Sequence, residues 1–162
     1  MKIKFFTTGG TIDKIYFDSK STYEVGESPL HEILHEANIT FDYECEALLY
    51  KDSLEITPTD RTHMIEKIAS DPHDRVVITH GTDTMVQTAR ELGRIESKTI
   101  VLTGSMAPAR FRSSDAVFNI GFAAAAAQCL PFGIYIAMNG QIFDPDKVRK
   151  NIELNRFESI ED

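Results

Sequence analysis

The chain is poor in cysteine, in positive charge and in long apolar runs, and each shortage removes a class of protein. Its two cysteines, Cys45 and Cys129, stand far apart with no CxxC or Cys/His spacing, so they fit no zinc site and no redox motif and are expected as buried, reduced thiols. A formal charge of −8 argues against a general binder of nucleic acid, which needs a basic face to displace counterions from phosphates. The one concentrated positive stretch, Arg110-Phe111-Arg112, suits salt bridges or subunit contacts better. No apolar run reaches the length of a membrane span. Met1-Lys2 leads straight into a short apolar strand with no small-residue cleavage site behind it, so no membrane partner and a cytoplasmic location are expected. Internal repeats are absent, and the only low-complexity stretch is the alanine run at 123–127.

What is present is the composition of an ordinary folded protein. At 162 residues, with 42% apolar and 26% charged, the chain can bury a core without disulfides or metals, and a single domain over 1–162 is expected. Short apolar runs bounded by turn residues recur at 3–6, 47–50, 76–79, 99–102 and 133–138 and read as buried strands. Helical spacing occupies 59–69, where Thr57 can cap and Pro58 fill the first turn, and 84–92, where Gly93 is a natural stop. The Ala-rich stretch 115–128, with Ser113 and Ser114 as caps ahead of it, is a third helix. Strands alternating with helices predict an α/β fold: a mostly parallel sheet with helices on both faces. Asn139-Gly140 between apolar runs adds a small β-hairpin, and the acidic end Glu158–Asp162 reads as a solvated tail.

Ligands of such sheets bind beyond the carboxyl ends of the strands. The first run is followed by Thr7-Thr8-Gly9-Gly10-Thr11, two glycines flanked by hydroxyls. It is not a phosphate loop, because Thr11-Ile12-Asp13 stands where Gly-Lys-Ser/Thr is required, and alone it is a tight turn. The third run is followed by His80-Gly81-Thr82-Asp83-Thr84. One residue of that set could simply cap the next helix, which leaves the second polar group unexplained. The fourth run ends in Thr103-Gly104-Ser105-Met106-Ala107-Pro108, again small and polar. A threonine hydroxyl needs a base or proton path to become a nucleophile. No Ser/His/Asp set is visible: His31, His35, His63 and His73 fall in helix or loop positions, and His80 reads as a satisfied core residue. A lysine beside a carboxylate could serve instead, with Lys147 and Lys150 both in range.

Thr8-Gly9-Gly10-Thr11-Ile12 and His80-Gly81-Thr82-Asp83-Thr84-Met85 resemble the two signature motifs of bacterial-type L-asparaginases. Tyr23-Glu24-Val25-Gly26 is similar to the family's N-terminal flap and Asp52-Ser53 to its substrate-binding serine segment. Thr103–Met106, Asp115–Asn119 and Val148-Arg149-Lys150 match further segments, so the resemblance spans essentially the whole chain. It implies the fold of an asparaginase N-terminal domain and hydrolysis of L-asparagine without a cofactor or metal. Thr8 is then the nucleophile, assisted by Tyr23, while Thr82, Asp83 and Lys150 form a second polar triad; Thr82 is the alternative nucleophile. Gly9, Thr11, Asp52, Ser53, Gly81 and Ser105 line the substrate, with Ser53 on its carboxylate and Asp83 on its ammonium.

Two departures accompany the match. The chain ends about where the linker to the family's C-terminal domain would begin, so that domain is expected to be missing and self-association, as a dimer or tetramer, to cover the flank. Leu54 stands where two-domain members often carry a polar residue, which implies weaker substrate binding or a narrower pocket. Two other functions share these residues: the glutamine amidase subunit of a tRNA amidotransferase, and a non-catalytic amino-acid binding module.

Overall fold

The apolar runs assemble into one sheet, and the segments with helical spacing cover it. The structure, a computed structural model, describes residues 1–17 and 22–160. In chain order the elements are β1 (Lys2–Gly9), β2 (Lys14–Phe17), β3 (Thr22–Val25), α1 (Leu30–Glu36), β4 (Asp42–Lys51), α2 (Pro58–Ser70) and β5 (Arg75–Thr79). They continue as α3 (Met85–Leu92), β6 (Thr99–Thr103), α4 (Ala116–Cys129), β7 (Gly133–Met138), β8 (Gln141–Phe143), β9 (Val148–Asn151) and β10 (Arg156–Ser159). The main sheet runs β4-β1-β5-β6-β7-β8. Its first five strands are parallel and β8 returns antiparallel beside β7.

Strand alternation sorts the core into two layers. Ile3 and Phe5 of β1, Val77 of β5, Val101 of β6 and Ala137 of β7 face α1 and α4. Phe6, Val76, Ile78, Ile100 and Leu102 face α2 and α3 through Met64, Ile68, Met85 and Leu92. The alanines of α4 are packing residues: Ala123, Ala126 and Ala127 are buried, and their small side chains let the helix lie against the strands. Thr57 caps α2 in a reciprocal box with Asp60. Gly93 follows α3 as expected. Only one of the two serines ahead of α4 contributes a cap bond, Ser114 accepting from the Ala116 N–H at 3.1 Å. The β7–β8 turn has Asn139 at φ 53 and Gly140 at φ 73, the paired positive angles of a type I′ hairpin.

Some expectations fail, for reasons of position in the sheet. Residues 47–50 are not a buried strand: β4 lies at the sheet edge, and Ala47 and Tyr50 are exposed. Both cysteines are exposed, Cys45 on that same edge strand and Cys129 at the last residue of α4. The acidic end is not a free tail, since Glu158 and Ser159 pair with β9 and Glu158 accepts from Arg149 and Asn151. Glu161 and Asp162 lie outside the described residues. Helix α1 and the two-stranded ribbons β2–β3 and β9–β10 carry no clear periodicity in the sequence. Among the described residues no helix is long and apolar enough to cross a membrane.

Strand β1 lies between β4 and β5, so the chain leaves it for one edge of the sheet and later returns to its other side. The crevice at the carboxyl ends of β1 and β5 is therefore the topological switch point, the place where open parallel sheets bind ligands.

Candidate active site

Both glycine-bearing motifs arrive at that switch point. Thr8, at the end of β1, is fully buried and donates its hydroxyl to the Thr79 carbonyl of β5 at 2.9 Å. Gly9 (φ 95) and Gly10 (φ 85) then turn the chain, and the Gly10 N–H meets the Lys51 carbonyl at the end of β4 at 2.9 Å. A Cβ on Gly10 would stand 2.4 Å from Cα of Gly81 and 2.5 Å from its nitrogen. Two backbones thus touch where any side chain would part them, which locks the first motif to the second. Gly10→Ala combines that clash with an unfavourable φ and is expected to cost about 3 kcal/mol or more of stability. Urea unfolding checks this, and a variant within about 1 kcal/mol of wild type would contradict the geometry.

The second motif supplies the polar cluster. The Lys150 ammonium donates to Thr82 Oγ1 at 2.8 Å and to Asp83 Oδ1 at 2.6 Å. Thr82 is buried, whereas the Asp83 side chain is 45% exposed and so open to a ligand. Neither residue serves as the helix cap, because Thr84 takes the N-cap position of α3 without a side-chain cap bond and turns its hydroxyl to the Ser53 carbonyl. Strand β9 delivers Lys150, anchored by its cross-strand neighbour Phe157, which is buried and donates its N–H to Asn139 Oδ1 at 2.8 Å. Lys147 sits exposed in a 3₁₀ turn before β9, so of the two lysines it is Lys150 that meets Thr82 and Asp83.

Ser53 is buried in the turn after β4, with its Cβ and Oγ where a Cβ on Gly81 would fall. The other expected residues are less directly engaged. The Asp52 carboxylate pairs with Lys14 at 2.8 Å and caps its own turn. Ser105 donates to the Ala107 carbonyl within its own loop. Thr11 begins the 3₁₀ turn after the glycines and is half-buried. Tyr23, half exposed on β3, packs against Tyr16 and Phe111 at ring separations of 5.1 and 6.0 Å. Among the described residues its phenol bonds to neither threonine. Leu54 is 73% exposed and narrows no enclosed pocket. A polar hollow of about 280 Å³ between β3 and this turn is lined by Lys14, Tyr23, Tyr50, Asp52 and Glu55.

Histidine 80 is the satisfied core residue that was expected, fully buried and bonded to Gly81 O and Thr88 Oγ1. Burial, the largest influence, together with the positive charge of Arg61, depresses its pKa to about 4, against a bond to Gly81 that raises it. At neutral pH it is an uncharged imidazole.

Asp13 was not anticipated. It is 2% exposed beneath the glycine turn, and its Oδ1 has no hydrogen-bond partner among the described residues. Burial pushes its pKa up to about 6, against the opposing pull of Ser28, the Gly9 N–H and Arg110. Because the folded pKa exceeds the unfolded one, its contribution to stability is fully present below about pH 4 and is lost as the pH rises through 6. Asp13→Asn is expected to abolish that decline and to be more stable than wild type at neutral pH by about 3 kcal/mol, with no such gain at pH 4. Denaturant unfolding at both pH values checks the difference. A carboxylate three residues past the second glycine of the turn was the only sequence signal for it.

The chain is similar to known proteins in sequence and in fold. The family model described as "Asparaginase, N-terminal" matches residues 2–161. An L-asparaginase of Thermococcus kodakarensis is 34% identical over 171 residues, covering 99% of this chain and 51% of that protein. A glutaminase-asparaginase of Pseudomonas aeruginosa is 32% identical over 178 residues, covering 97% and 48%. The chain thus spans about half the length of these curated relatives. Among solved structures, the thermostable T. kodakarensis L-asparaginase superposes with a TM-score of 0.83 at 33% identity, covering 98% of this chain and 51% of that one. L-asparaginase I of Vibrio cholerae has the same TM-score of 0.83 at 26% identity, with coverage of 98% and 51%.

Proposed function

The chain belongs to the asparaginase family, and from that premise we propose that it hydrolyses L-asparagine to L-aspartate and ammonia through a threonine nucleophile and an acyl-enzyme. The observation that carries the proposal is the Lys150 ammonium held between Thr82 and Asp83 at the switch point, where β1 ends in the buried Thr8 and the glycine turn that follows it. In the first half-reaction Thr8 Oγ attacks the side-chain carbonyl carbon, its proton passes to the amide nitrogen, and ammonia leaves. In the second a water molecule attacks the acyl carbon and the bond to Thr8 Oγ breaks; the proton lost by the water passes by way of Thr82 to Lys150, which gives one up in exchange to the departing Thr8 Oγ, and aspartate is freed. The Thr82 N–H bonds to no acceptor among the described residues and is available to the oxyanion.

A zwitterionic amino acid needs opposite polar contacts at its two charged ends. Ser53 offers a hydroxyl to the carboxylate, and the exposed Asp83 carboxylate, bonded to Lys150 through Oδ1, leaves Oδ2 for the ammonium. The test is ammonia release from L-asparagine over a wide concentration range, with L-glutamine in parallel. Turnover of asparagine supports the reading. Saturable binding with no ammonia overturns it in favour of a binding module, and release from glutamine alone would move the substrate to that amide.

A further inference from the structure

A buried polar chain joins two helices to the second motif, and its proton positions are determined by what each atom can do. Arg61 of α2, only 3% exposed, donates from Nε to Thr88 Oγ1 of α3 at 3.0 Å and from Nη1 to the Ile56 carbonyl at 3.1 Å. A guanidinium only donates, so Thr88 accepts there and its own hydrogen is free for His80 Nε2 at 2.9 Å. His80 Nδ1 lies 2.7 Å from the Gly81 carbonyl, which only accepts. The ring is therefore protonated on Nδ1 and accepts on Nε2, and each member of the chain has a partner of the right kind.

The consequence lies on the far side of one peptide plane. In a trans peptide the C=O of Gly81 and the N–H of Thr82 point in opposite directions, so holding the carbonyl against the buried imidazole turns the N–H away from it. Glycine has no Cβ to oppose rotation of that plane, and the clamp must come from outside. His80 is itself held rigid: its N–H donates to the Thr103 carbonyl at 2.8 Å, and its carbonyl would stand 2.3 Å from a Cβ on Gly104. We propose that Arg61, Thr88 and His80 form a positioning chain that aims the Thr82 N–H at the reacting carbonyl, a role that rests on the amidohydrolase reading above. None of the three touches substrate.

The test pairs variants that break or keep the chain. Thr88→Val removes the hydroxyl and Thr88→Ser keeps it; His80→Asn can still reach Gly81 O from the Nδ1 position, whereas His80→Leu cannot. Thr88→Val and His80→Leu are expected to lose about tenfold to a hundredfold in kcat with KM within about threefold, and the conservative partners to recover most of it. Uniform kcat across folded variants overturns the proposal while leaving the reaction intact. Nitrogen NMR of the imidazole needs no turnover: His80 is expected protonated on Nδ1, with the Thr82 amide resonance moved by Thr88→Val and not by Thr88→Ser. A ring protonated on Nε2, or an unmoved Thr82 amide, overturns it whether or not ammonia is released.

Discussion

Thr8→Val is expected to leave a folded protein that releases ammonia from asparagine at least about 10⁴-fold more slowly, because in the proposed mechanism Thr8 is the nucleophile and its loss removes a covalent route and not merely a contact. The structural cost is small by comparison. The Thr8 hydroxyl makes one bond, to the Thr79 carbonyl, so its loss is worth about 1–2 kcal/mol, and the buried site receives an isosteric side chain. Thr82→Val separates the two threonines. Thr82 accepts from Lys150, so its removal interrupts the proton path to water and leaves Thr8 able to attack. Acid quenching should therefore trap an aspartyl adduct on Thr8 in the Thr82 variant. An adduct on Thr82 in the Thr8 variant would reverse the roles.

Lys150→Met carries the second large effect, a loss of about 10²–10⁴-fold in kcat, the range associated with one proton-transfer group. The ammonium bonds to both Thr82 and Asp83, and a methionine of similar length supplies neither bond. Stability should change by less than about 1 kcal/mol, because the ion pair is partly open to solvent, with Asp83 at 45% exposure. Kinetics and thermal unfolding on one preparation separate the two quantities. Lys147→Met, altering an exposed turn residue, is the control and should retain full rate. Equal losses from both lysines would show a charge effect spread over the surface, and would remove Lys150 from the mechanism.

How far the site was legible depends on how local its causes are. The turns after β1 and β5 could be read because glycines and hydroxyls follow apolar runs directly, and the ends of parallel strands are where such sheets bind ligands. Ser53 emerged from its resemblance to a substrate-binding segment, and the structure buries it against Gly81. Tyr23 emerged from the same resemblance, and the structure rests its ring on Tyr16 and Phe111. Asp13 escaped notice because nothing in a one-dimensional pattern says which carboxylate will be covered. The cysteines were misplaced for the same reason: nothing local says that the strand of Cys45 lies at the sheet edge or that Cys129, at the last residue of α4, faces outward.

The α/β class, the parallel order of strand and helix, the type I′ hairpin and the two motifs are all readable from residue order alone. Each depends on residues a few positions apart, where periodicity, capping and turn angles act. The tertiary fold alone set Lys150 rather than Lys147 against Thr82, a threonine 68 residues away. It alone brought Gly10 against Gly81, buried Asp13, and linked Arg61 through Thr88 to His80. Those contacts join elements distant in sequence, and their geometry follows from how the helices and strands pack, which no local window of residues encodes.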